Sequence, residues 1–216
     1  MNICAIPKIP YDGQEQDEWI AQHNRHVTEA RKRDPDVILI GASIIQYIES
    51  CPIWNDKFKP LNSLNFGIAG DRTENVLWRV KNGILDNIKP KICILNVGTN
   101  NFDNNPCDVS EGILAIVNEI RSKIPNCYII IIGLLPYGPY PNPIRDLGNQ
   151  VNIMVGQKVG SLTKVELSNP ELLNPDGSLS QLDSPDYLHP SEMGYRKIFN
   201  PVFDRIATIL SDSNID

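Results

Sequence analysis

The sequence predicts an α/β fold, a three-layer α/β/α sandwich around a central parallel sheet of about five strands. Two observations carry that prediction. Short runs of branched apolar residues recur along the chain, and amphipathic helical stretches separate them at spacings that suit right-handed crossovers. There is no internal repeat, low-complexity tract or break in composition. We therefore expect a single domain over residues 15–211, an extended N-terminal arm over 1–14 and a short C-terminal tail over 212–216.

Taken in order, Pro7, Pro10 and Gly13 discourage helix in the arm. Glu15 to Arg33 is helical in pattern, with Trp19, His23, Val27 and Ala30 along one face. His23 and His26 read as packing or surface histidines, since no cluster of acids or cysteines accompanies them. Val37 to Gly41 is a buried strand, because four branched apolar residues in a row leave no polar face. A short helix follows from Ile44 to Glu49. Leu61 to Phe66 is the second strand, and Thr73 to Leu85 the next helix. Ile92 to Val97 is the third strand, Val109 to Ile124 a helix, and Tyr128 to Ile132 the fourth and most apolar strand. A stiff loop rich in proline and tyrosine, Tyr137 to Pro143, leads into a helix over Ile144 to Val159. Lys164 to Leu167 is a weaker fifth strand. After the polar stretch Asn169 to Pro185, a last helix covers Glu192 to Leu210, disturbed by Pro201.

Composition narrows the function classes. The 216 residues carry a formal charge of −6 and 41% hydrophobic residues, enough to bury a full core without disulfides or a structural metal. The charges are scattered, with no basic run longer than Arg31-Lys32-Arg33, which argues against nucleic acid or an acidic membrane as the main partner. Five cysteines without a Cys-x-x-Cys spacing fit reduced thiols in a cytoplasmic protein. The first fifteen residues contain no apolar core of signal-peptide length, and no run reaches the ~18 apolar residues of a membrane span.

The chemistry is expected at the carboxyl ends of the strands, where open parallel sheets bind ligands. The first strand ends in Gly41-Ala42-Ser43, the second in Gly67-Ile68-Ala69-Gly70-Asp71 and the third in Gly98-Thr99-Asn100. A serine on a strand-to-helix turn is a candidate nucleophile or, more plainly, a helix cap. The Ser43 N–H, the Gly70 N–H and the Asn100 side-chain amide together form a candidate oxyanion hole; singly, Gly67 and Gly70 serve a turn and Asn100 an Asx-turn. A serine hydroxyl needs a base. Of the three histidines only His189 lies in polar, turn-rich sequence, in Asp186-Tyr187-Leu188-His189-Pro190-Ser191, and Asp186 is close enough to orient it.

These residues together resemble the SGNH (GDSL-type) serine esterases. Their marks are a Gly-Asp-Ser-like nucleophile block, a glycine donor, a Gly-x-Asn-Asp-like block and a C-terminal Asp-x-x-His. Within that superfamily the chain is most similar to the catalytic subunits of the type Ib platelet-activating factor acetylhydrolases. The likeness runs through Leu64 to Asp71, Val76-Leu77-Trp78-Arg79, Asn82-Gly83, Pro90-Lys91, Val97 to Asn101 and Gly133 to Pro136. The resemblance implies a flavodoxin-like hydrolase fold and a Ser43–His189–Asp186 triad. It also implies the Ser43, Gly70 and Asn100 donors as oxyanion hole, with Ile44, Thr99 and Leu188 shaping a small acyl pocket. No metal or other cofactor is implied. The implied substrate is an acetylated phospholipid such as platelet-activating factor, and the alternatives are a non-lipid acetyl ester or a silent homologue that acts by binding. Implied partners are a second copy or a paralogous subunit, and a WD-repeat lissencephaly-type protein. Two positions depart from the pattern: Ala42 stands where the block carries aspartate, and Tyr137 where arginine is expected.

Overall fold

In the computed structural model, which describes residues 2–10 and 12–212, five parallel strands form one sheet in the order β2-β1-β3-β4-β5. They are β1 (Val37–Gly41), β2 (Ser63–Gly67), β3 (Ile92–Asn96), β4 (Tyr128–Ile132) and β5 (Val165–Ser168). The helices are α1 (Gln14–Lys32), α2 (Ser43–Tyr47), α3 (Thr73–Lys81), α4 (Pro106–Lys123), α5 (Pro143–Val159) and α6 (Glu192–Asp212). In register, Gly41 of β1 lies opposite Gly67 of β2 and Asn96 of β3, so three strand ends come level. The chain runs from β1 outward to β2 and then back across β1 to β3. The crevice between the ends of β1 and β3 is therefore the topological switch point, where such sheets bind ligands.

Both faces of the sheet are buried, which is why the strands read as apolar runs rather than alternations. Ile38, Ile40, Cys93, Leu95, Ile129 and Ile131 pack towards α1, α3, α4 and α5. The intervening Val37, Leu39, Ile92, Ile94, Ile130 and Ile132 pack towards α2 and α6, together with Ile53 and Phe58. Each strand thus feeds two cores at the period of two that a pleated strand imposes.

The elements depart from the sequence prediction in four places. Ile3–Ala5 form a short 3-10 turn where an extended arm was expected, and Cys4 is fully buried. Thr73 donates to the Cys4 carbonyl at 2.9 Å and Asn75 to that of Lys8 at 2.9 Å, pinning the segment along α3. The helix expected to reach Leu85 stops at Lys81, followed by Gly83 at φ +116°. A five-residue π-helical stretch, Trp54–Phe58, lies between α2 and β2, where no element was expected; its wider turn seats Phe58 against Phe199 and Phe203. Pro201 sits inside α6 on an exposed position, and the helix continues past it. His23 and His26 are 2% and 5% exposed, so they are packing residues. The expected C-terminal tail beyond Asp212 lies outside the described residues. Among the described residues no helix is long and apolar enough to cross a membrane.

Candidate active site

Gly41 ends β1 under tight constraint: a Cβ there would lie 2.1 Å from the Asn96 carbonyl oxygen and 2.6 Å from Ile45. Only glycine lets the chain leave the sheet this close to β3 and turn into α2. Ala42 caps that helix without a side-chain hydrogen bond, and Ser43 is its first residue, part-exposed at the switch point.

The loop before α6 brings His189 to this serine across 146 positions of sequence. His189 Nε2 lies 3.1 Å from Ser43 Oγ, and Nδ1 lies 2.7 Å from Asp186 Oδ2. An ionised carboxylate only accepts, so Nδ1 carries the proton and Nε2 is left to accept from the serine hydroxyl. Asp186 Oδ1 meanwhile accepts from the backbone N–H groups of His189 at 2.7 Å and Leu188 at 2.9 Å. Partial burial pushes this carboxyl up, but the His189 and Leu188 hydrogen bonds outweigh it and hold the group below its ordinary range. These hydrogen bonds thus favour its ionised form.

That loop is held in a strained form. Tyr187 has φ +59°, uncommon for an aromatic residue, and its carbonyl accepts from Gly138 N–H at 2.9 Å. Ser184 Oγ donates to the His189 carbonyl at 3.1 Å, and Ser191 N–H to that of Asp183 at 2.8 Å. The Tyr47 ring, one helical turn after Ser43, lies 5.2 Å from the His189 ring. Nothing in the sequence reading pointed to Tyr47, although its i+4 spacing from Ser43 puts both on one face.

The other strand ends supply donors. Gly70 takes φ +83°, in the left-handed region that favours glycine. Asn100 gives one amide hydrogen to the Asp71 carbonyl at 2.9 Å, which fixes the side chain and leaves its second hydrogen free for a ligand. Beneath these groups lies a buried ion pair that sequence reading missed. Arg79 and Asp71, both at most 1% exposed, meet at 2.7 Å. Arg79 also donates to the Phe66 carbonyl at 2.5 Å and the Gly41 carbonyl at 3.0 Å, while Trp19 donates to Asp71 at 2.7 Å. One guanidinium therefore clamps the ends of β1 and β2 to the residue that follows Gly70. The available signal was an arginine set among the apolar positions Val76, Leu77 and Val80.

A small cleft of about 160 Å³ opens beside Asn100, lined by Thr99, Asn100, Phe102, Tyr137, Ile144 and Leu188. Thr99 and Leu188 thus lie where a pocket was expected. Ile44 does not line it: its side chain is 3% exposed in the core towards α6, and its carbonyl accepts from Tyr195. The larger clefts of the molecule lie away from Ser43 and His189. Among the described residues no group of three His, Cys, Asp or Glu side chains is placed to hold a metal ion.

Residues 39–197 match the model of the GDSL-like Lipase/Acylhydrolase family. The chain belongs to that family. As a GDSL-like acylhydrolase it has curated relatives along almost its whole length. It is 42% identical to the Homo sapiens platelet-activating factor acetylhydrolase IB subunit alpha2 over 98% of this chain and 93% of the relative. It is 40% identical to a Drosophila melanogaster protein named platelet-activating factor acetylhydrolase IB subunit beta homolog, over 99% and 96%. Among solved structures, a Streptococcus pneumonia protein aligns with a TM-score of 0.70 at 20% identity, covering 89% of this chain and 96% of its own. A carbohydrate esterase family 3 protein from Talaromyces cellulolyticus aligns with a TM-score of 0.61 at 15% identity, covering 82% and 99%. These distant structures share the GDSL fold, and the hydrolase class of this chain follows from its family.

Proposed function

We propose that the protein is a metal-independent serine esterase that removes a short acyl group, acetyl above all, from a phospholipid such as platelet-activating factor. The observation that supports this most is the unbroken hydrogen-bonded chain from Asp186 through His189 to Ser43. In the proposed reaction His189 Nε2 takes the Ser43 proton as Oγ attacks the ester carbonyl. The oxyanion then meets the Ser43 and Gly70 N–H groups and the Asn100 amide. His189 returns its proton to the leaving alcohol, and water, activated by the same imidazole, releases the acid. The cleft beside Asn100 favours a short acyl group, being small against the roughly 300–1,000 Å³ of drug-sized sites. The names of the relatives favour the acetylated phospholipid.

Hydrolysis of p-nitrophenyl acetate tests the chemistry. Ser43→Ala is expected to lower kcat by several powers of ten, of the order of the roughly millionfold loss that serine removal causes in other triads. Equal rates for the two proteins would sink the assignment. A series of platelet-activating factor analogues with acetyl, butyryl and longer acyl groups tests the substrate, with a sharp fall beyond acetyl expected.

One observation favours a second reading. Ala42 gives the nucleophile turn no side-chain cap, so a catalytically weak homologue that acts mainly as a binding subunit is the alternative. In that reading the chain pairs with a second copy or a paralogous subunit and with a WD-repeat protein in the cytoplasm. A fluorophosphonate probe separates the two: labelling of Ser43 in the folded protein supports the esterase, and no labelling supports the binding subunit.

A further inference from the structure

Charges that are scattered in the sequence converge at the end of the sheet opposite Ser43. Five of the chain's 20 Lys and Arg residues, Lys89, Lys91, Lys123, Lys164 and Arg205, line one cleft of about 840 Å³. Among the described residues no Asp or Glu is in its lining. The fold makes this convergence. Lys91 immediately precedes β3, Tyr128 opens β4 and Lys164 immediately precedes β5, so neighbouring crossovers deliver their basic residues to one edge. Lys123 comes from the last turn of α4 and Arg205 from α6.

The simplest account of surface lysines is solvation beside their own carboxylates, and it covers part of this cleft. Lys91 pairs with Asp36 at 3.0 Å and Lys123 with Asp86 at 2.6 Å. It covers Arg205 as well, which pairs with Glu166, but not Lys89 and Lys164. Among the described residues the side chains of Lys89 and Lys164 have no ion pair or hydrogen bond. Arg205 is braced: Nε meets Glu166 at 2.9 Å, Nη2 donates to the Tyr128 hydroxyl at 2.7 Å, and the guanidinium lies 5.2 Å from the Tyr128 ring. Nη1 is left as a donor in a fixed plane, the arrangement that suits phosphate oxygens. A chain of net charge −6 thus keeps a concave, locally cationic site with an aromatic floor.

We propose that this cleft binds a ligand carrying at least two phosphate groups, as a free diphosphate or as the phosphorylated headgroup of a lipid. The strands entered at Lys91 and Lys164 are two strand spacings apart, about 10 Å, a span that a diphosphate can bridge with one phosphate towards each strand. The volume lies within the roughly 300–1,000 Å³ of small-molecule sites. The site shares no residue with the Ser43 centre, and the proposal stands whatever that centre hydrolyses.

Calorimetric titration of the whole protein with inorganic pyrophosphate at low ionic strength tests the site. Sedimentation with phosphatidylcholine vesicles, with or without phosphatidylinositol bisphosphate, distinguishes the two sources. We expect saturable one-to-one binding that weakens as salt screens the charges. The double variant Lys89→Glu/Lys164→Glu should weaken it at least tenfold with Tm and p-nitrophenyl acetate hydrolysis unchanged. Lys8→Glu/Lys158→Glu makes the same change in net charge on other exposed positions and should leave binding intact. Pyrophosphate binding with the vesicles left in the supernatant assigns a soluble ligand; sedimentation that depends on the phosphoinositide assigns a headgroup. No saturable binding of either probe, or equal weakening in both double variants, overturns the proposal.

Discussion

Ala42 is the cap of the turn that carries Ser43, the proposed nucleophile. Its backbone, at φ −101° and ψ −144°, is already in the non-helical form of a helix cap, yet methyl is the one thing it offers the first turn of α2. Aspartate is a preferred cap because its carboxylate accepts from the N–H groups two or three residues on, worth about 0.5–2 kcal/mol over alanine. A displacement of ~1 Å at a reacting atom can cost on the order of a hundredfold in rate. We therefore expect Ala42→Asp to raise kcat on p-nitrophenyl acetate several-fold with KM little changed. An unchanged kcat would show that Gly41 and the packing of Ile45 already fix Ser43. Tyr47 works at the same scale, its ring tilted at 59° against the imidazole of His189.

At the scale of elements, the Arg79 clamp joins α3 to the ends of β1 and β2. Removing one partner of a buried ion pair leaves an uncompensated charge and costs ~3–5 kcal/mol. Here Arg79→Met also takes the guanidinium donor away from the Gly41 and Phe66 carbonyls. Its Tm is expected to fall by roughly 10 °C, at about 2–4 °C per kcal/mol for a chain of this size. Adding Asp71→Asn removes the stranded charge, so the double variant should regain part of the Tm. Its kcat should remain depressed, because the strand ends below Ser43 and Gly70 are still unclamped. Full recovery of kcat in the double variant would show that the pair serves stability alone.

For the whole molecule, α1 makes stability depend on pH. Burial, with the nearby charge of Arg79, holds His26 down at about 3 against an ordinary 6.5, and burial lowers His23 as well. Both rings are therefore neutral in the folded protein, while the unfolded chain takes up their protons near pH 6.5. The His26 contribution to stability is complete above that pH and is lost as pH falls from about 6.5 towards 3, and that of His23 is lost in the same direction below 6.5. Each histidine costs up to about 1.4 kcal/mol per pH unit while only the unfolded form is protonated. The Tm should decline through this window, and His26→Leu should flatten the decline. An identical slope in the variant would remove His26 as the cause.

Much of this was legible in the sequence because it depends on local periodicity and chemistry. Branched apolar runs such as Val37 to Ile40 and Tyr128 to Ile132 can only be strands covered on both faces, and a parallel sheet of such strands presents ligands at their carboxyl ends. Ser43, Gly70, Asn100, Asp186 and His189 could be named because they converge at strand ends and in one polar loop and together resemble a family pattern, although singly each is an ordinary turn or cap residue. Tertiary structure alone decided how they meet. His189 reaches Ser43 across 146 positions through a loop held by Tyr187 at φ +59°. Ile44 turned into the core, because the helix that carries Ser43 must bury the next side chain against α6. The pairing of Asp71 with Arg79 left only an arginine among apolar positions as its signal, and the convergence of Lys89 and Lys164 on one cleft left none. Electrostatics acts through space, and the distances that set it exist only once the crossovers are closed.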